Sequence, residues 1–186
     1  MVSLSELLLP ILLAATLVFF ASFVIHMVLG YHAGDFAKAP SEDAVMDALR
    51  PFRLAPGDYA LPKPPGPSAM KDPAYLAKWD RGPVAVMTVF PPGPMRMGKQ
   101  LVMWFVFSVV VGLFCAYLGT LALPRGAAYM DVFQLTSTVA FIGYGLALWE
   151  SSIWYYRSWS ATLKNNIDAL VYGLLTGGAF GWLWPS

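Results

Sequence analysis

Long apolar runs without charge, separated by polar stretches of very unequal length, set the pattern of this chain. Residues 7–31, 101–123, 132–149 and 169–184 contain no Asp, Glu, Lys or Arg. A helix needs roughly 20 residues to cross a hydrocarbon layer ~30 Å thick, so the first two runs suffice outright. The last two gain length from Trp149, Trp154, Trp182 and Trp184, whose rings suit the headgroup zone. The pattern predicts an all-α membrane protein, an antiparallel bundle of four transmembrane helices. The first run lacks a basic leader and a small-residue cleavage site, so it reads as a retained helix rather than a secretory signal.

Between the first two runs lies a polar segment, residues 32–99, with twelve of the fifteen prolines. Proline at this density discourages a large regular domain, yet the local signals are sharp. Ser41 is placed to cap a helix over 42–50, with Glu42 and Asp43 in its first turn and Pro51 as its stop. Asp72 and Pro73 open a second helix near 73–80, closed by Gly82. VAVMTVF, 84–90, is a β-branched run fenced by prolines, and 59–61 is a possible strand partner. The expected organisation is therefore helix 1 over 1–31, a proline-rich, partly helical cap over 32–99 packed on the helix ends, and helices 2 to 4 over 100–186.

Composition agrees with burial in lipid: 58% of residues are hydrophobic and 12% charged, about half the charge of a soluble domain. Charge also sets the orientation. Eleven of the twelve basic residues fall in the 32–99 segment or in the loop carrying Arg157 and Lys164, and only Arg125 lies on the other side. Basic residues resist translocation, which places the cap in the cytoplasm and both termini outside, in the periplasm if the membrane is a bacterial inner membrane.

Few residues offer chemistry. His26 and His32 are the only histidines. On a continued helix their spacing leaves them about 120° apart, on different faces. His32 and Asp35 have a spacing of three, but Gly34 makes continued helix doubtful there. The plain expectation is that His26 bonds a neighbouring helix and His32 faces water, with a haem or chlorophyll-type pigment on His26 as the alternative. No cofactor or metal is predicted. Asp131 and Asp168 read as helix N-caps, whereas Glu150 at a helix C-terminus calls for a cation, Arg157 or Lys164, or a proton relay to His26. The candidate ligand or proton residues are thus His26, His32, Asp35 and Glu150.

Small residues at spacing four, Ser108, Gly112, Ala116 and Thr120 in the second helix and Gly173, Gly177 and Gly181 in the fourth, mark faces for close helix contact. Gln134, Thr136, Ser137 and Thr138 give the third helix a polar patch expected to bond across helices. Cys115, alone in mid-span, reads as packing. No Cys pair, HExxH, GxSxG, Walker or GxGxxG element occurs, and no basic, aromatic-interleaved patch suggests nucleic acid.

The stretches IHMVLGYHAGD, EDAVMDALR, PGDY, GPMRMGKQLVMWF, WESSIWYYRSW and TLKNNIDALVYGLLTGGAFGWLWP resemble a group of small bacterial four-helix inner-membrane proteins without an assigned activity. The resemblance implies an inner-membrane location and supplies no site residue. On all of this, the chain reads as a non-enzymatic accessory or scaffolding subunit that meets the bilayer and other membrane subunits or itself. The alternative is a small redox, pigment-binding or transport subunit using His26 and Glu150.

Overall fold

The computed structural model describes residues 2–186. In chain order the elements are α1 (Leu8–Phe23), α2 (Glu42–Leu49), β1 (Gly57–Leu61), α3 (Pro73–Arg81), β2 (Ala85–Val89), α4 (Gly98–Ala122), α5 (Tyr129–Gly145), α6 (Trp149–Tyr155) and α7 (Trp159–Trp182). A tight turn, Leu4–Leu7, leads into α1, and a widened turn, Val24–Leu29, prolongs it. Two compact units result, one from residues up to Phe36 together with Arg96–Ser186, the other Ala37–Met95.

The stretches Leu4–Leu29, Gly98–Ala122 and Tyr129–Tyr155 are long and apolar enough to cross a membrane, so the protein is mostly helical and built as a membrane protein would be. α7 is comparably long, but its first half carries Lys164, Asn165, Asn166 and Asp168. It begins at Trp159, well before the apolar run at 169, because nothing in WSATLKNNID breaks a helix.

Within this unit α1 lies against α4 and α7, and α5 lies against α4 and α7, closing a ring. Its interior mixes apolar side chains with small hydroxyls: Leu7, Ile11, Val18, Cys115, Val132 and Phe180 are fully buried, and so are Ser108, Thr136 and Thr176. α1 and α7 run antiparallel. At one end Glu6 pairs with Arg125, whose guanidinium also reaches the Ser186 carbonyl, and Trp184 donates to the Pro124 carbonyl while its ring lies against Gly119. At the other end the chain leaving α1 meets the first half of α7.

Glycine sets the α5–α7 approach. A Cβ on Gly173 would stand 2.9 Å from the Ser137 carbonyl oxygen, and one on Gly177 would stand 2.9 Å from that of Phe133. Gly181 meets Tyr129 in the same way, and Gly112 of α4 meets Ile11 of α1. Ser108 and Ala116 are buried beside Gly112, whereas Thr120 is only half-buried and bonds the Tyr117 carbonyl. The polar patch of α5 does not bridge helices as expected: Thr136, Ser137 and Thr138 each donate to the carbonyl four residues back. The local carbonyl is always within reach, so the hydroxyl is satisfied without a neighbour.

In the smaller unit, β1 and β2 pair antiparallel with Tyr59 opposite Met87, and Thr88 Oγ1 donates to Asp58 Oδ1 at 2.6 Å. Asp72 caps α3 by accepting from the Ala74 amide at 2.9 Å. Ser41 stands at the start of α2, but its side chain makes no capping bond.

Adding one methyl at the α5–α7 contact forces the helices apart, an overpacking cost of about 1–3 kcal/mol. Gly177→Ala is therefore expected to lower the thermal unfolding midpoint in detergent. Gly178→Ala, whose Cβ would find no atom nearer than 3.9 Å, is expected to be neutral or slightly stabilising through helix propensity.

Candidate functional site

The site forms where α1 ends. Gly30 adopts a left-handed conformation, φ +63°, which only glycine takes without a steric cost. It reverses the chain into a compact turn held by Ala33 N–H to Gly30 O and Asp35 N–H to His32 O. The reversal folds His32 back onto His26, with ring centroids 4.6 Å apart, and lays the Tyr31 ring beside His32 at 4.3 Å.

α7 supplies the other wall. Because it starts at Trp159, Lys164, Asp168 and Tyr172 recur at spacing four along one face. Asp168 is 3% exposed. Its Oδ1 accepts from the Tyr31 hydroxyl, its Oδ2 lies 2.8 Å from His32 Nε2, and His26 Nε2 stands 3.9 Å from that same Oδ2. The other ring nitrogen of His32 lies 2.6 Å from Asp35 Oδ2. Lys164 Nζ closes the cluster, donating to Asp35 Oδ1 and to the Tyr31 carbonyl, each at 2.8 Å. The Lys164 ammonium, with His32 beside it, holds the Asp35 carboxyl below the usual carboxylate range.

A cavity of 450 Å³ adjoins the cluster, lined by His26, Trp104, Tyr144, Asn165, Asp168 and Tyr172 among others. The hydroxyl of Tyr172, one of the lining residues, is itself buried and has no hydrogen-bond partner among the described residues. A second, almost wholly apolar hollow between α1 and α4, bordered by Phe19, Phe23 and Leu101, also ends on His26.

Three of the four candidate residues, His26, His32 and Asp35, thus converge, and Glu150 does not: it is exposed on α6, outside the cluster. Lys164, considered as a partner for Glu150, pairs instead with Asp35. His32 does not face water, since its side chain is 14% exposed. The histidines meet although a continued helix would separate them, because the chain reverses between them. Asp168 is no N-cap but lies well inside α7, buried and hydrogen-bonded. Sequence reasoning missed Lys164, Asp168 and Tyr172 as site residues. Their spacing of four was the available signal, obscured by placing the helix start too late.

No family model, no curated protein and no solved structure matches the chain.

Asp168 anchors two donors, whereas His26 makes no hydrogen bond among the described residues. Asp168→Ala is expected to cost about 3–5 kcal/mol by leaving buried partners uncompensated, and Tyr31→Phe about 1 kcal/mol. His26→Ala should stay within about 1 kcal/mol of the parent. Unfolding in detergent measures all three.

Proposed function

We propose that the protein is a small integral membrane subunit, working within a larger assembly, that holds a small polar ligand in the chamber beside His26 and Asp168. Four membrane crossings suit this role, with α7 completing a bundle with α1, α4 and α5. The polar groups that make α7 the least apolar of the four helices are those that engage the turn after α1, so they need not face lipid. Lys38, Arg96, Lys99, Arg157 and Lys164 border the site end of the helices, which favours a cytoplasmic chamber and external termini.

One observation carries the proposal: a cluster of ionisable side chains, with Asp168 buried and His26 exposed at its edge, borders a cavity lined by both of these residues. Ionisable groups inside a membrane protein are expensive and by default functional, and a ligand site is enclosed, with a few convergent polar groups on an otherwise apolar wall. Pure scaffolding gives no reason for such a cluster. The glycine faces that would suit docking to other subunits are consumed within the chain, against α5 and Ile11. A bundle this small, without an internal repeat, argues for a subunit with a redox or transport role rather than an autonomous carrier.

A structural knot of charges would be closed to solvent, whereas a ligand chamber admits water from one face. Ala147 lines the cavity, and Cys115 is fully buried and serves as a silent background. Ala147→Cys is expected to react with a membrane-impermeant maleimide in inverted vesicles and not in right-side-out ones, while Ala140→Cys, in the core, stays unreactive. Failure of Ala147→Cys to react from either face sinks the chamber, and reaction only from outside reverses its orientation.

A further inference from the structure

We propose that His26, His32 and Asp168 form a binding site for a divalent transition-metal ion of the zinc or iron class, an assignment that rests on the chamber being a ligand site. The three residues each offer one ligand atom, and these atoms lie within 4.8 Å of one another. Ligands around a tetrahedral ion with bonds of ~2.0–2.1 Å stand about 3.3 Å apart. The separations from Asp168 Oδ2 to the two imidazoles, 2.8 Å to His32 and 3.9 Å to His26, straddle that value, and an ion would draw His26 in toward the carboxylate. Two imidazoles and one carboxylate suit zinc, iron or cobalt far better than magnesium or calcium, which demand oxygen ligands.

Such groups also gather where no ion binds, so the supporting contacts decide the matter. A metal-binding histidine commonly donates its second ring nitrogen to a carboxylate, which fixes its tautomer and orientation. His32 has that arrangement: Nδ1 is held by Asp35, leaving Nε2 for the ion. Lys164 occupies the other oxygen of Asp35, which keeps Asp35 in a supporting role. Tyr31 occupies Asp168 Oδ1, and Oδ2 is the oxygen both histidines approach; an ion bound there would replace the proton that His32 Nε2 shares with it. The cavity lined by His26 and Asp168 offers room for a fourth ligand, as in sites that exchange ligands. Tyr172, whose hydroxyl is buried and unpartnered among the described residues, is among the residues lining that cavity.

The test uses full-length protein in mild detergent, purified without a histidine tag, stripped with chelator and titrated with Co²⁺. Expected are one Co²⁺ per chain with visible absorption of a four- or five-coordinate nitrogen–oxygen site, displacement by Zn²⁺, and indifference to excess Mg²⁺. His26→Ala, which should fold, is expected to weaken binding at least tenfold, and Asp35→Asn about 10–100-fold at unchanged stoichiometry. Absence of stoichiometric Co²⁺ binding by the parent protein, or full retention of it in His26→Ala, overturns the assignment. Neither result touches maleimide access to Ala147→Cys, which needs no metal, so failure of the ion and failure of the chamber are told apart.

Discussion

A carboxylate buried to 3% exposure part-way along a helix has to be met by donors, and most of the site's architecture follows from how Asp168 is met. Nothing on α7 itself reaches it among the described hydrogen bonds. Its partners, Tyr31 and His32, come from more than a hundred residues earlier in the chain. The turn after α1 must therefore reverse tightly, which Gly30 permits, and α7 must extend back to Trp159 so that Asp168 and Lys164 face that turn together. The contact fixes the antiparallel docking of α1 on α7 at one end. At the other, Glu6, Arg125 and the C-terminal residues fix it again.

Between these two ends the ring of helices is held by shape. In lipid the hydrophobic effect does little to bring helices together, and close backbone approach takes its place. The α5–α7 contact is the closest because three glycines of α7 face Tyr129, Phe133, Ser137 and Phe141 at matching intervals of four. Hydroxyl groups in the interior are satisfied by carbonyls of their own helices. Away from the site the polar contacts between helices are isolated ones, such as Trp104 Nε1 to Ser22 Oγ, Cys115 Sγ to the Thr136 carbonyl and Ser152 with Thr162, whereas at the site they form a connected cluster.

Features written in local sequence were legible. Apolar runs gave the three spanning stretches, Asp72 with Pro73 gave α3, and the β-branched run at 84–90 gave β2 with its partner near Tyr59. The site was half legible. His26, His32 and Asp35 stood out by residue type, but their convergence depends on one glycine torsion that no periodicity encodes. Glu150 stood out equally and lies elsewhere: it falls in the first turn of α6, not at a helix C-terminus, and is exposed, so it needs no cation or relay partner. Asp168 was noticed and given the wrong role: its distance from the helix start depends on whether WSATLKNNID is coil or helix, and apolar periodicity is silent there. Lys164 and Tyr172 carried no local signal beyond their spacing from it.

The two ends of the α1–α7 contact allow a last comparison. At the terminal end, docking rests on Arg125, which pairs with the partly exposed Glu6 and reaches the Ser186 carbonyl, an inexpensive arrangement. At the site end the same geometrical task is done by five ionisable side chains, several of them buried. Replacing buried ionic groups with apolar ones of similar shape is often neutral or stabilising, so docking alone does not account for the cluster. An apolar turn against an apolar stretch of α7 would also have made α7 a better membrane span. The costlier solution sits where a cavity adjoins it, and His26 contributes no hydrogen bond to the fold, an arrangement that the proposed binding role accounts for and docking alone does not.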